Sequence, residues 1–266
     1  MNRQKFKIIN GQFIRHGIEW THVPNYRAFT ANPIRGCQHQ CRWMMPDKTL
    51  VICYAENGAE HSPAKIHYPG GFSNITFHPD VLDQIRSHKL PAAIFIDSMS
   101  DLMGKGVKDE WIEAVLETMR ACPRHLFQLL TKNPGRLPHF QFPDNCWVGI
   151  SAPPTFMFGH ELTPVQQASW YDRGLEQLAK VNVPVRWTSI EPLSWDVSSI
   201  IRRHQATLAW AVIGAGTNGQ RAYQPADDVF KAALDALNDT PVFFKGNIDA
   251  DLADRVAGGW REEFPL

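Results

Sequence analysis

The sequence predicts an α/β protein whose parallel strands curl into a partial or closed (β/α) barrel. Three observations carry that expectation. Short apolar runs alternate along the chain with amphipathic helical stretches. The runs are apolar at successive positions, as strands buried on both faces are. Nearly every run also ends in a polar residue, so in a curled sheet these polar ends meet at one mouth.

Ala92–Asp97 (AAIFID) has the buried-strand pattern. The helix after it covers Lys108–Ala121, with Trp111, Ile112, Val115, Leu116 and Met119 at helical spacing. His125–Leu130 and Cys146–Ile150 are the next strands. Thr163 to Gln166 (TPVQ) reads as a capping box: a Thr N-cap, proline at the first helical position and glutamine three residues on. The helix it opens sets Ala168, Tyr171, Leu175 and Leu178 on one side. Val185–Ile190 and Leu208–Gly214 are strands, and Ala226–Asn238 is a helix with Val229, Phe230, Ala233, Leu234 and Leu237 inward. Val242–Lys245 closes the series. The polar ends are Asp97 to Asp101 (DSMSD), Thr131-Lys132, Ser151, Glu191 and Lys245.

With 266 residues, 44% hydrophobic and 20% charged, the chain has material for a sizeable core and no signature of disorder. We read it as one domain. A formal net charge of zero supplies no global attraction to nucleic acid or an anionic membrane, while leaving room for a local basic groove. No run approaches the roughly 18 apolar residues of a membrane span. Residues 1–10 have basic side chains but no apolar segment after them, so no secretory signal is expected and the expected location is the cytoplasm.

Three of the five cysteines crowd into positions 37–53. They stand as Gly36-Cys37-Gln-His-Gln-Cys41, then the eleven residues Arg42–Ile52, then Cys53-Tyr54-Ala55-Glu56. Clustered cysteines in a chain of this kind bind metal or do redox chemistry. Two metal chemistries fit the pattern. Three soft thiolates suit a [4Fe–4S] cluster that keeps one iron free for a small molecule. Alternatively they hold zinc, with His39 or a later histidine as fourth ligand. Cys122 and Cys146 are isolated and read as core residues.

The motifs then point to a family. Asn32-Pro33-Ile34-Arg35-Gly36-Cys37 with Cys53-Tyr54-Ala55-Glu56 resembles the NPxxGC…CYAE core of the phage Gp37/Gp68-like proteins, which are radical S-adenosylmethionine (SAM) type proteins. Ile18 to Thr21 (IEWT), Ile96 to Leu102 (IDSMSDL) and Phe127 to Pro134 (FQLLTKNP) resemble its further elements. So do Ser189 to Leu193 (SIEPL), Val212 to Gly216 (VIGAG) and Val242 to Lys245 (VFFK). The likeness covers about residues 18–247. Two departures stand out. Radical SAM proteins usually have C-x3-C-x2-C, so residues 42–52 read as an insertion into a cluster loop at 36–56. Gly214 to Asn218 (GAGTN) lacks the family's glutamate.

The resemblance implies a radical SAM-type barrel with a [4Fe–4S] cluster on Cys37, Cys41 and Cys53. There SAM binds the open iron, and an electron cleaves its sulfonium to give a 5′-deoxyadenosyl radical. It implies SAM contacts at Ser98, Ser100 and Asp101, for which the plain alternative is a helix N-cap. Glu191 is expected at the SAM ribose, and Gly214 and Gly216 in close approach to the adenine. Lys132, Glu191 and Lys245 are the expected catalytic groups at the mouth. The implied reaction is a phage DNA thymidine hypermodification, the isomerisation of glycinyl-thymidine. The implied partners are an electron donor such as flavodoxin or ferredoxin and DNA bearing a modified thymine, in the bacterial host cytoplasm. A radical SAM DNA-lesion lyase and a non-catalytic, zinc-stabilised binding protein are the rival readings.

Overall fold

Eight strands pair in the order in which the chain makes them: β1 (Asn2–Arg3), β2 (Arg27–Ala31), β3 (Ala92–Ile96), β4 (Leu126–Thr131), β5 (Cys146–Ser151), β6 (Val185–Ile190), β7 (Trp210–Ile213) and β8 (Val242–Phe244). The computed structural model describes residues 1–9, 12–45, 47–217 and 221–266. β1 is antiparallel to β2, and every later pairing is parallel. Parallel neighbours need a crossover at each step. Helices α2 (Pro79–Ser87), α3 (Asp109–Arg120), α4 (Pro164–Ala179), α5 (Ser198–His204) and α6 (Asp227–Leu237) supply five of them, and a 3₁₀ segment at Pro134–His139 lies in the sixth. A further short helix, α1 (Tyr54–His61), begins directly after Cys53. The outer edge of β8 meets Glu262 through an isolated bridge to Phe243, and not β1. Closure of the sheet into a ring is therefore not among the described pairings. No described helix is long and apolar enough to cross a membrane.

The expected elements appear within a few residues of their predicted ends. The capping box forms, with Thr163 Oγ1 accepting from Gln166 N at 3.3 Å and Gln166 Oε1 accepting from Thr163 N at 2.9 Å. On α3, Ile112, Val115, Leu116 and Met119 are buried. Trp111 instead sits at the margin, stacked on Phe77 with ring centroids 5.6 Å apart. Cys122 and Cys146 are buried in the core.

Strand alternation divides the apolar residues between the two faces of the sheet. The helical layer packs on one face, where Ile94, Ile96, Phe127, Leu129, Val148, Ile150, Ala211 and Ile213 meet the helices. The other, inner face is lined by Ala93, Phe95, Leu126, Trp147, Val185, Trp187, Trp210, Val212 and Phe243. Trp20, from the 3₁₀ turn Glu19–Thr21, lies across it with its ring 4.6 Å from Phe95 and 5.0 Å from Trp187. Gly149 makes room for this aromatic layer, since a Cβ there would stand 2.5 Å from the Trp187 indole. Gly149→Ala should therefore destabilise the fold by about 1–3 kcal/mol through overpacking. A lowered urea midpoint with unchanged slope would register it.

Candidate functional site

The inner face changes character at the C-terminal ends of the strands. Phe95, Leu130 and Trp20 floor a cavity of about 420 Å³, and polar residues wall it. Counting in twos past the aromatic layer leads to Asp97 from β3, Lys132 after β4, Ser151 from β5, and Ser189 and Glu191 from β6. Lys245, after β8, completes the wall. The three clustered cysteines line the same cavity, as do Ser98, Ser100 and Asp101.

A β-hairpin brings Cys41 and Cys53 together. Arg42–Met44 pairs antiparallel with Leu50–Ile52, with Arg42 opposite Ile52 and Met44 opposite Leu50. The chain thus returns to where it left, and Cys53 N donates to Cys41 O at 3.2 Å. The eleven residues expected as an insertion form this hairpin, so their length cancels in space. Arg42 staples the base by a bidentate pair with Glu56 of α1, at 2.6 and 2.7 Å, which accounts for the glutamate of the CYAE segment. The hairpin also pairs with Phe156–Met157 and forms a four-stranded rim with His160–Glu161. Pro46, between the two strands in sequence, lies outside the described residues. Cys37 is set separately: its N–H donates to Phe72 O at 2.8 Å. Gly36 before it has φ +89°, and a Cβ there would stand 2.4 Å from Asn74 O, so only glycine fits.

Asp101 is buried and fully engaged. Its Oδ1 accepts from Thr131 Oγ1 at 2.7 Å and Met103 N at 3.0 Å; its Oδ2 accepts from Lys132 N at 2.7 Å and lies 3.5 Å from His39 Nδ1. Ser100 Oγ donates to Gly36 O at 2.6 Å, tying the end of β3 to the cysteine loop. Ser98 Oγ donates to Asn32 Oδ1 at 3.1 Å, and its carbonyl accepts from the Tyr54 hydroxyl. Neither Ser98, Ser100 nor Asp101 caps a helix, so the plain alternative does not hold for them.

Lys132 reaches among the thiols. Its Nζ donates to Ser151 Oγ at 3.2 Å and stands 5.8 Å from the Trp43 ring centroid. Burial works against its charge, but Cys41, Cys53, Asp101 and Cys37 together hold the ammonium above its ordinary value. Burial pushes the Cys41 thiol up to about 12 against the pull of Lys132. Burial and Asp101 raise Cys37 as well. Glu191 and Lys245 form an ion pair at 3.2 Å, and burial raises the carboxyl while Lys245 opposes the shift. The Glu191–Pro192 peptide is cis.

Gly214 and Gly216 do not line the cavity. A Cβ on Gly214 would stand 2.9 Å from Glu191 Cγ and 3.2 Å from Lys245 Cδ, and one on Gly216 would stand 2.6 Å from Met45 Sδ. They admit the chain's own side chains where close approach to an adenine was expected. Asn218, at the end of that segment, lies outside the described residues.

Asp97, expected only as a polar strand end and given no role, proves to be a buried part of the site. It is 3% exposed, has φ +59°, accepts from Ile34 N at 2.9 Å through Oδ1, and leaves Oδ2 without a hydrogen-bond partner. Strand parity from Ala93 and Phe95 gives it that place. Among the described residues, no group of three or more His, Cys, Asp or Glu side chains is set as a metal-ion site. His39 is buried between the cysteines with Nε2 unpartnered, yet it does not complete such a group.

A family model described as "Protein of unknown function (DUF5131)" matches residues 15–247. The chain belongs to the DUF5131 family. No curated protein matches this DUF5131 chain. Among solved structures it is similar to a spore photoproduct lyase double mutant with bound AdoMet and dinucleoside spore photoproduct, at 10% identity and TM-score 0.46, covering 89% of this chain and 64% of that one. It is also similar to the same lyase complexed with dinucleoside spore photoproduct, at 10% identity and TM-score 0.44, over the same shares. A single mutant of the lyase matches at 11% identity and TM-score 0.45, over 84% of this chain and 65% of that one. The DUF5131 chain thus spans less than two thirds of the length of these lyases.

Burial, with Asp101 nearby, raises the Asp97 carboxyl well above its ordinary value against the pull of the Ile34 N–H. A group whose folded value is raised keeps its proton in the native state while the unfolded chain loses it, so stability falls as pH rises from about 4. Asp97→Asn keeps the acceptor for Ile34 and tolerates the left-handed backbone. It should remove a slope of up to about 1.4 kcal/mol per pH unit. Urea unfolding across pH 4–8 measures it.

Proposed function

We propose that this chain is a radical SAM enzyme, with Cys37, Cys41 and Cys53 holding a [4Fe–4S] cluster at the cavity mouth. The observation that carries the reading is the hairpin at 42–52. It turns a C-x3-C-x11-C spacing into three thiols that line one cavity. The donor set fits the group: three soft sulfur donors from one loop, and a cationic Lys132 beside them to offset thiolate charge. When bound, the cluster supplies an electron that cleaves the sulfonium of SAM and so gives access to hydrogen abstraction from unactivated carbon.

The chain's own residues divide the remaining work. Ser100 and Asp101 position the loop and the end of β4, because their bonds are spent inside the protein. Ser98 keeps its lone pairs for a ligand ammonium while donating to Asn32. Lys132 offers an ammonium to a carboxylate on the cysteine side of the cavity. Glu191 accepts from ligand hydroxyls, and Lys245, its ion-pair partner, opposes the effect of burial on that carboxyl and donates into the mouth. Trp20, Phe95 and Leu130 exclude water from the floor.

For substrate we keep the isomerisation of glycinyl-thymidine in phage DNA, on the strength of the family resemblance. Moving a bond from nitrogen to carbon starts with hydrogen loss from a carbon that no base in this cavity would ionise. Flavodoxin or ferredoxin is the class of electron donor.

Anaerobically reconstituted protein should hold about four iron and four sulfide per chain. Replacing Cys37, Cys41 or Cys53 by Ala should abolish the cluster, while Cys122→Ala should keep it. Stoichiometric zinc without sulfide would sink the assignment. With its cluster verified, the protein should release 5′-deoxyadenosine from SAM under dithionite, as read by chromatography. Glu191→Gln should weaken SAM binding roughly ten- to a hundredfold, the worth of one charged hydrogen bond, with iron content unchanged. Unaltered SAM affinity in that variant would remove Glu191 from the site.

A further inference from the structure

A second cavity, of about 490 Å³, adjoins the first across Asn32. The amide Oδ1 of Asn32 accepts from Ser98 Oγ and from Met99 N, so its NH₂ is turned to the other side. Thr30, Asn32, Arg35, His67, Tyr68 and Gln84 are among the residues lining this space.

Arg35 is the anomaly. Arg15, Arg42, Arg124, Arg136, Arg186 and Arg261 are the other half-buried arginines, and each donates to an acceptor of this chain. Arg35 has no hydrogen bond or ion pair among the described residues, and it lines this cavity instead. Beside it, Tyr68 is 8% exposed and Thr30 4%, and neither hydroxyl has a partner among the described residues. Asp97 spends its Oδ1 on the Ile34 N–H and makes no ion pair with Arg35 among the described residues. Asp80 is exposed on the first turn of α2 and makes no ion pair with Arg35.

The groups around this hollow can therefore all donate to one ligand: a guanidinium, an amide NH₂ and two hydroxyls. A planar carboxylate uses two such directions, whereas a phosphate presents oxygens tetrahedrally to several at once. We propose that this second cavity binds a phosphate group, free or as a phosphodiester, with Arg35 as its principal contact and Tyr68, Thr30 and Asn32 around it. The site stands apart from the cluster and does not depend on it. Through Asn32 a ligand there touches the same side chain that holds Ser98.

The test uses the full-length chain with inorganic phosphate, at ionic strength balanced with chloride, read by thermal unfolding and by phosphorus NMR line broadening. A saturable response is expected that weakens at least tenfold in Arg35→Met, partly recovers in Arg35→Lys, and weakens in Tyr68→Phe. Melting of each variant without phosphate establishes that it folds. Should Arg35→Met not fold, Arg35→Lys and Tyr68→Phe carry the comparison. A dinucleoside monophosphate that displaces phosphate assigns the site to phosphodiesters, and failure to displace assigns it to free phosphate. An equal response to acetate, no saturable response in the parent, or undiminished binding in the folded Arg35 and Tyr68 variants would overturn the proposal.

Discussion

Along β6 and the residue after it, Val185, Trp187, Ser189 and Glu191 point to one side of the sheet, as strand geometry requires. The same alternation runs through β3, with Ala93, Phe95 and Asp97, and through β4, with Leu126, Leu130 and Lys132. Because the strands are parallel and paired in chain order, these series climb together. Their lower members fuse into one aromatic layer, and their upper members ring one cavity. Shifting β6 by a residue would turn Arg186 toward Trp147 and Trp210 and set Ile190 at the mouth. Burial of the aromatic layer therefore fixes the register of the polar ring above it.

That coupling explains what the sequence made legible. β3, β5, β6 and β8 were visible because both of their faces are buried, which leaves a continuous apolar run. Asp101, Lys132, Glu191 and Lys245 were visible as polar residues that interrupt such runs. β2 was not, since Arg27–Ala31 lies near the sheet edge and reads as a weak, mixed segment. α1 and α5 were missed because at eight and seven residues they show too little periodicity to be counted. Gly214 and Gly216 were read as ligand contacts because sequence does not show that Glu191, Lys245 and Met45 already fill the space beside them.

The cysteine loop shows how residues far apart in sequence come to line one cavity. A chelate depends on where thiols end up, and an antiparallel hairpin is the connection that adds residues without adding distance. The cross-strand pairing of Arg42 with Ile52 closes the detour, and the Arg42–Glu56 fork ties its base to α1. What the detour adds is the rim: Trp43 and Met45 pack with Val51 and Met157 into a small apolar cluster that also holds Cys41. The inserted residues thus bury one of the thiols they separate.

Charge balance gives Asp101 and Lys132 their meaning together. A lysine this enclosed would ordinarily lose its proton, and thiols this enclosed would ordinarily keep theirs. Lys132 pulls the Cys41 thiol down against burial, and the thiols in turn favour the Lys132 ammonium. Asp101 anchors Lys132 from below by accepting from its backbone N–H and from the Thr131 hydroxyl, and its remaining edge faces His39 on the cysteine loop. One carboxylate therefore fixes the loop to the strand that carries its counter-charge. The end of β4 and the cysteine loop cannot shift independently, and the cation stays beside the sulfur donors whatever occupies the rest of the cavity.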